Sequence, residues 1–252
     1  MYGAIIGDLA GSIYEYSQLK KIKPINIGKI IENNAFYSDD TILTIAILDA
    51  IQNNRDYDRY LKTYINRYSG YMPNFSPYFK TSFSPGLLKW AKNESQGLSC
   101  GNGAMMRISP IGYLFNTEEE IIKNVKLATI PSHNCEEAID SATTIALMIH
   151  YFKKGFSKND VYKKLNLEVK YVPFEKFNTT CHETLGNCLY VLYNCKSFED
   201  AMRLTLLMGG DTDTNCAIVG SVAEAIYGIN SKLKAQAENK IPDEFIKVLK
   251  KV

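Results

Sequence analysis

Apolar residues recur with helical spacing along nearly the whole of this chain. Residues 39–53 (DDTILTIAILDAIQN) are apolar almost all round, which predicts a central helix with no face left for solvent. Helical spacing also runs over 56–69, 118–129, 135–154, 158–165, 180–194, 198–208, 213–227 and 242–251. Strand-like alternation is confined to 167–173 (LEVKYVP). Residues 70–80 (GYMPNFSPYFK), rich in aromatics, Pro and Gly, read as an ordered loop. With no linker, repeat or low-complexity tract, the pattern predicts an all-α single domain over residues 1–252.

Four polar clusters interrupt this framework. The first is GDLAGSIYE, residues 7–15. If 2–15 is a helix, Gly3, Gly7 and Gly11 fall four apart and let a neighbouring helix approach closely. Each interior Gly costs about 1 kcal/mol relative to Ala, so three together need a packing or functional reason. Asp8 and Glu15 share one face two turns apart. Two solvated carboxylates on a helix exterior would account for the acids, though not for the glycines.

The second cluster is YSDDTILTIAIL. Ser38 is a natural N-cap, and Asp39 and Asp40 complement the helix dipole. That helix has no polar face to keep its start in water, however, and two adjacent buried carboxylates without positive partners are costly. A cation would resolve this. The third cluster is GGDTDTN, residues 209–215: two glycines give a tight entry, and Asp211, Asp213 and Thr214 follow at a helix start. Acids and hydroxyls without His or Cys suit Mg²⁺ or Mn²⁺ rather than zinc. Alone, each of these two clusters reads as a cap. Together they match, and two such helix starts converging would supply six oxygen donors, as a two-metal site needs.

The fourth cluster is SCGNGAMMRISPIG, residues 99–112. Its Gly101-Asn102-Gly103-Ala104 loop runs into a helical segment and can present backbone N–H groups to phosphate oxygens. Arg107, one turn inside, reads as structural. His133, in PSHNCEE ahead of an acidic first turn, reads by itself as a cap. His150 and His182 read as structural or surface residues, Trp90 and the tyrosines of 57–71 as packing residues. Aromatics on the 70–80 loop could stack on a base.

Composition narrows the class. Lys plus Arg number 29 against 27 for Asp plus Glu, a balance that offers no basic stripe for nucleic acid or membrane. Cys181, Cys188 and Cys195 recur every seven residues on one helical face with Leu185 and Leu192 between them. With no CxxC pair, the six cysteines read as reduced core thiols, which implies a cytoplasmic protein. Residues 1–16 lack a basic leader and carry Asp8 within the apolar stretch, and no uncharged run is long enough to span a bilayer.

These clusters, in this order, resemble the ADP-ribosylglycohydrolase family, which includes dinitrogenase-reductase-activating glycohydrolases and ADP-ribosyl-acceptor hydrolases. The matching stretches are GDLAGSIYE, SDDT at 38–41, GNGAMMRISPIG at 101–112, SHN at 132–134, GGDTDT at 209–214 and AEAIYG at 223–228. The resemblance implies an orthogonal helical bundle with two divalent cations, Mg²⁺ or Mn²⁺, in a cleft. Ser38, Asp39 and Asp40 would supply one side of the metal site, and Asp211, Asp213 and Thr214 the other. Glu15, Asp40 and Asp211 are the candidate catalytic carboxylates, Glu15 as a ligand or acid–base residue. Gly101, Asn102, Gly103 and Ala104 would cradle the diphosphate, and His133 becomes a substrate contact instead of a cap. Ser38 stands where the family often has Thr, and Asn134, Cys135 and Glu136 replace a further His and Pro of many relatives.

The implied reaction is hydrolysis of an ADP-ribosyl bond at the anomeric carbon by a monomer, through an oxocarbenium-like state. The acceptor is left open among arginine, serine or another side chain, a nucleic-acid base and a small metabolite. Loops 16–37, 70–99 and 166–180 would select it. A member of the same fold that binds ADP-ribose without turnover is the alternative. An isoprenoid-synthase-like site fits poorly, because position 43 is Leu where a third acid is required.

Overall fold

Fourteen helices and no strand are found among the residues described by the computed structural model, which are 1–73 and 79–252. In chain order they are α1 (Tyr2–Gln18), α2 (Asp39–Gln52), α3 (Tyr57–Tyr68), α4 (Pro85–Ala91), α5 (Gly103–Met106) and α6 (Ser109–Leu114). Then follow α7 (Glu118–Thr129), α8 (Glu136–Lys153), α9 (Lys158–Lys164) and α10 (Cys181–Asn194). The chain closes with α11 (Phe198–Met208), α12 (Thr212–Tyr227), α13 (Ser231–Glu238) and α14 (Asp243–Leu249). The long helices coincide with the periodic segments of the sequence. The short α4, α6 and α13 have too few turns for periodicity to reveal them, and Pro110 in the first turn of α6 separates it from α5.

The architecture turns on α1 and α12, which lie against each other backbone to backbone. A Cβ at Gly3 would sit 2.0 Å from the Gly220 carbonyl oxygen, one at Gly7 2.0 Å from that of Cys216, and one at Gly11 2.2 Å from that of Thr212. The glycine spacing in the first cluster therefore has its packing reason. The Thr212 hydroxyl locks the pair by donating to the Gly11 carbonyl at 2.8 Å. Replacing Gly7 with Ala is expected to force the helices apart and lower stability by about 2–3 kcal/mol. Urea unfolding checks this; a variant as stable as the parent would contradict the contact.

The residues of α2 from Ile42 to Leu48 are all buried, and one contiguous apolar cluster includes Ile5, Ile45, Met105, Ile145, Val219 and Phe245. Trp90 and Tyr57 belong to it, with the Tyr57 hydroxyl donating to Asn124 at 2.9 Å.

The strand-like alternation at 167–173 forms no strand, in keeping with the all-α pattern. The Val172 N–H donates to Asn187 Oδ1 at 2.9 Å, and Asn187 Nδ2 donates to the Val172 carbonyl at 2.7 Å. A side-chain amide thus satisfies backbone groups that a neighbouring strand would otherwise pair. The loop expected at 70–80 falls partly outside the described residues, at 74–78. Among the described residues no helix is long and apolar enough to cross a membrane.

Candidate functional site

The packing of α1 against α12 and the start of α2 delivers carboxylates to one place. Asp8, on α1, is fully buried, which corrects the solvated-exterior reading of that residue. It accepts from the N–H groups of Ser38 at 2.8 Å and Thr41 at 3.1 Å, and from the Thr41 hydroxyl. Asp8 therefore caps α2 from another helix. Ser38 adds its own cap, accepting from the Asp40 N–H at 3.2 Å while its hydroxyl donates to Asp40 Oδ2 at 3.0 Å.

Asp211 occupies the N-cap position of α12, yet its side chain makes no capping hydrogen bond. It accepts instead from Asn102 Nδ2 at 2.7 Å, while its N–H donates to Asn178 Oδ1 at 2.8 Å. Gly210, at φ 76°, makes the turn that allows this; a Cβ there would lie 2.2 Å from Asn178 Oδ1. Asn178 also donates to Asn215 Oδ1 at 2.9 Å, and Asn215 Nδ2 donates to the Gly209 carbonyl at 3.2 Å. Asn215, through these bonds, fixes the entry to α12. The two helix starts touch where the Thr214 hydroxyl donates to Asp40 Oδ2 at 3.3 Å.

Two groups of three acids result, Asp8 with Asp40 and Asp213, and Glu15 with Asp211 and Asp213. Within each group one oxygen of every residue lies within 4.8 Å of the others, and Asp213 belongs to both. Ser38 and Asp39 fall outside these groups, Ser38 as a cap and Asp39 as a half-buried residue of the cleft wall.

Crowding these acids in a buried place raises their pKa values. Burial, then the neighbouring Asp213, pushes Asp8 up to about 7. The same two causes hold Glu15, Asp39, Asp40 and Asp211 well above the carboxylate range, and burial raises Asp213 itself. Arg107 offers Asp39 a partial counter-charge. Asp8 Oδ1 and Asp40 Oδ1 are buried without any hydrogen-bond partner among the described residues. Orphaned oxygens in an all-oxygen set fit a hard divalent cation, which would neutralise charge that the protein does not.

All of these acids except Asp8, which stays behind them, open on a cleft of about 820 Å³, a size usual for ligand pockets. Glu15, Asp39, Asp40, Asp211 and Asp213 line one part of it, and Phe83, Trp90 and Phe177 give apolar wall elsewhere. The Gly101–Ala104 loop lines it too, but three of its N–H groups are already used. Gly101 donates to Ser99 Oγ at 3.0 Å, Asn102 to the Thr179 carbonyl at 3.0 Å and Ala104 to the Gly101 carbonyl at 3.3 Å. His133 lies over the loop, its Nε2 3.4 Å from where a Gly103 Cβ would be, and it caps no helix. Arg107 is fully buried, as a structural residue would be, and lines the cleft as well.

The reading of every cysteine as a reduced core thiol is corrected at two positions. Cys100 and Cys135 form a disulfide across 35 residues, while Cys181, Cys188, Cys195 and Cys216 are free and buried. The two bonded cysteines meet because isolated bridges bring Leu98 to His133 and Gly101 to Thr180, strapping the loop between two segments. Closing a loop of this length is worth roughly 3–4 kcal/mol on the chain-entropy model. Reduction is expected to lower stability by about that amount, with the Cys100→Ser/Cys135→Ser double variant showing the same loss in denaturant melts. Equal stability with and without reductant would contradict it.

A family model described as ADP-ribosylglycohydrolase matches residues 1–251. ADP-ribosylhydrolase ARH3 of Mus musculus is 21% identical over 90% of this chain and 82% of its own length. An ADP-ribosylarginine hydrolase of Pseudomonas putida is 19% identical over 91% of this chain and 70% of its own length. A solved structure titled an ADP-ribosylglycohydrolase-related protein complex shares the fold, with a TM-score of 0.70 at 18% identity over 98% of this chain and 89% of that one.

Proposed function

This chain belongs to the ADP-ribosylglycohydrolase family, and from that premise we propose that it hydrolyses the glycosidic bond between ADP-ribose and an acceptor, releasing ADP-ribose. The observation that carries the reading is the pair of acid groups sharing Asp213 beside a cleft of ligand size. The mouse and Pseudomonas relatives, both named as hydrolases of ADP-ribosyl compounds, support it. The one contiguous core supports a single catalytic domain over 1–252.

Two divalent cations, Mg²⁺ or Mn²⁺, would be held by Asp8, Asp40 and Asp213 and by Glu15, Asp211 and Asp213, with Ser38, Asp39 and Thr214 around them. When bound, they would supply Lewis-acid charge at the reacting centre. The protein's own contribution is positioning and proton transfer. Asn102 and Asn178 hold Asp211 from its two ends, side chain and backbone. Glu15 is half-buried at the cleft with carboxylate oxygens of Asp211 and Asp213 within 4.8 Å, and it would exchange a proton with water or the departing acceptor. Asp40 and Asp211 would anchor the cations from the starts of α2 and α12, on two sides of the site.

The test is a panel of ADP-ribosylated substrates, with arginine, serine, nucleic-acid base and small-molecule linkages, assayed for free ADP-ribose. Turnover on one linkage identifies the acceptor. Tight ADP-ribose binding with no turnover on any linkage would replace the hydrolase reading with that of a binding protein.

A further inference from the structure

His133 has one ring nitrogen committed to the protein and one facing the cleft. Its Nδ1 lies 2.8 Å from Ser132 Oγ and 3.4 Å from Arg107 Nη2. Arg107 Nη2 also donates to Ser132 Oγ at 2.7 Å and to the Ala128 carbonyl at 3.3 Å. A guanidinium can only donate. The Ser132 oxygen therefore accepts from Arg107, and among the described residues Nδ1 is the acceptor within reach of its single proton. A proton on Nδ1 would instead point at the Arg107 Nη2 donor 3.4 Å away and leave the Ser132 proton without a partner. In the neutral ring the proton then sits on Nε2, which has no hydrogen-bond partner among the described residues and lies against Gly101 and Gly103.

We infer that Arg107 and Ser132 are positioning residues that hold His133 in its Nε2-protonated form, as a fixed hydrogen-bond donor to an anionic oxygen of the bound substrate. This rests on the reading of the cleft as an ADP-ribosyl site. It also explains how a loop whose N–H groups are mostly engaged can still face a diphosphate: the imidazole above it supplies the donor. Burial and the Arg107 charge both oppose a second proton on the ring, so His133 donates without acting as the general acid.

The experiment is the imidazole ¹⁵N spectrum of the metal-loaded protein, with and without ADP-ribose as the probe. Loss of one signal set in His133→Gln identifies His133 among the three histidines. The expected spectrum has a protonated Nε2, an accepting Nδ1, and an Nε2 signal that moves when ADP-ribose binds. Ser132→Ala should lose the single tautomer, because the remaining 3.4 Å contact is too long to fix the ring alone. It should also weaken ADP-ribose binding and raise KM about tenfold, with kcat little changed. Ser132→Thr should restore both properties. His133→Gln, whose amide nitrogen reaches towards the Nε2 position, should bind within about threefold of the parent, and His133→Asn should not.

An Nδ1-protonated ring, or a Ser132→Ala protein with unchanged tautomer and affinity, would overturn the inference. Calorimetry separates this from failure of the functional reading. ADP-ribose that binds without moving Nε2 sinks the donor role alone, whereas ADP-ribose that does not bind sinks the functional reading and the donor role with it.

Discussion

Replacing Asp213 with Ala is expected to abolish hydrolysis, by about 10³-fold or more, without unfolding the protein. Asp213 is the acid common to both candidate ligand groups, so its loss weakens two cation sites at once. It is also the neighbour whose charge, after burial, does most to raise Asp8, Glu15, Asp39, Asp40 and Asp211. Removing it relieves that repulsion, so the metal-free variant should melt no lower than the metal-free parent at pH 8. The informative pattern is a melting temperature that Mg²⁺ or Mn²⁺ raises in the parent but not in Asp213→Ala. A variant that keeps full activity would show that Asp213 holds no required cation.

Without metal, the protein is expected to lose stability as the pH rises from 5 to 8. Each clustered acid has a folded pKa above its unfolded value, so between the two the folded state holds more protons than the unfolded state. Stability from such a group is present at low pH and lost as the pH rises towards the folded value. For Asp8 the window runs from its ordinary 3.8 to about 7, a change on the order of 4 kcal/mol. His133 and the N-terminal amine, whose pKa values burial lowers, contribute the opposite slope. Asp213→Ala keeps both of these groups while losing Asp213's own titration and its share of the repulsion among the acids. The difference between the two proteins' slopes in EDTA therefore isolates the contribution of Asp213. Cations should remove that difference by supplying the missing positive charge, and should bind more tightly as the pH rises because protons compete for the same oxygens. Identical slopes for parent and variant would contradict this account.

The sequence made the fold legible wherever a helix had several turns and one buried face. It failed where elements were short, as at α4 and α6, or where a side chain replaced a backbone partner, as Asn187 does for Val172. The convergence of the α2 and α12 starts could be read because their polar clusters match each other. Asp8 was harder. Its neighbours Gly7 and Gly11 already marked the α1 face that presses on another helix, and that burial was the signal for a buried acid. Asn178, Asn215 and the bond from Asn102, expected only as part of the diphosphate loop, to Asp211 were beyond reach, because they depend on contacts between residues as far apart as 102 and 211. The Cys100–Cys135 bond was hidden for the same reason: loop strapping, not sequence spacing, brings the two together.

The glycines of α1 thus serve the site as well as the core. By letting α1 touch α12, they bring Asp8 and Glu15 beside Asp211 and Asp213. Asp8 then ties the start of α2 to the same place through Ser38 and Thr41. The most direct measurement of the central claim is release of free ADP-ribose from ADP-ribosylated substrates by the EDTA-treated protein, before and after adding back Mg²⁺ or Mn²⁺. No release is expected without metal, and one of these ions should restore turnover. Equal turnover in EDTA would contradict the claim.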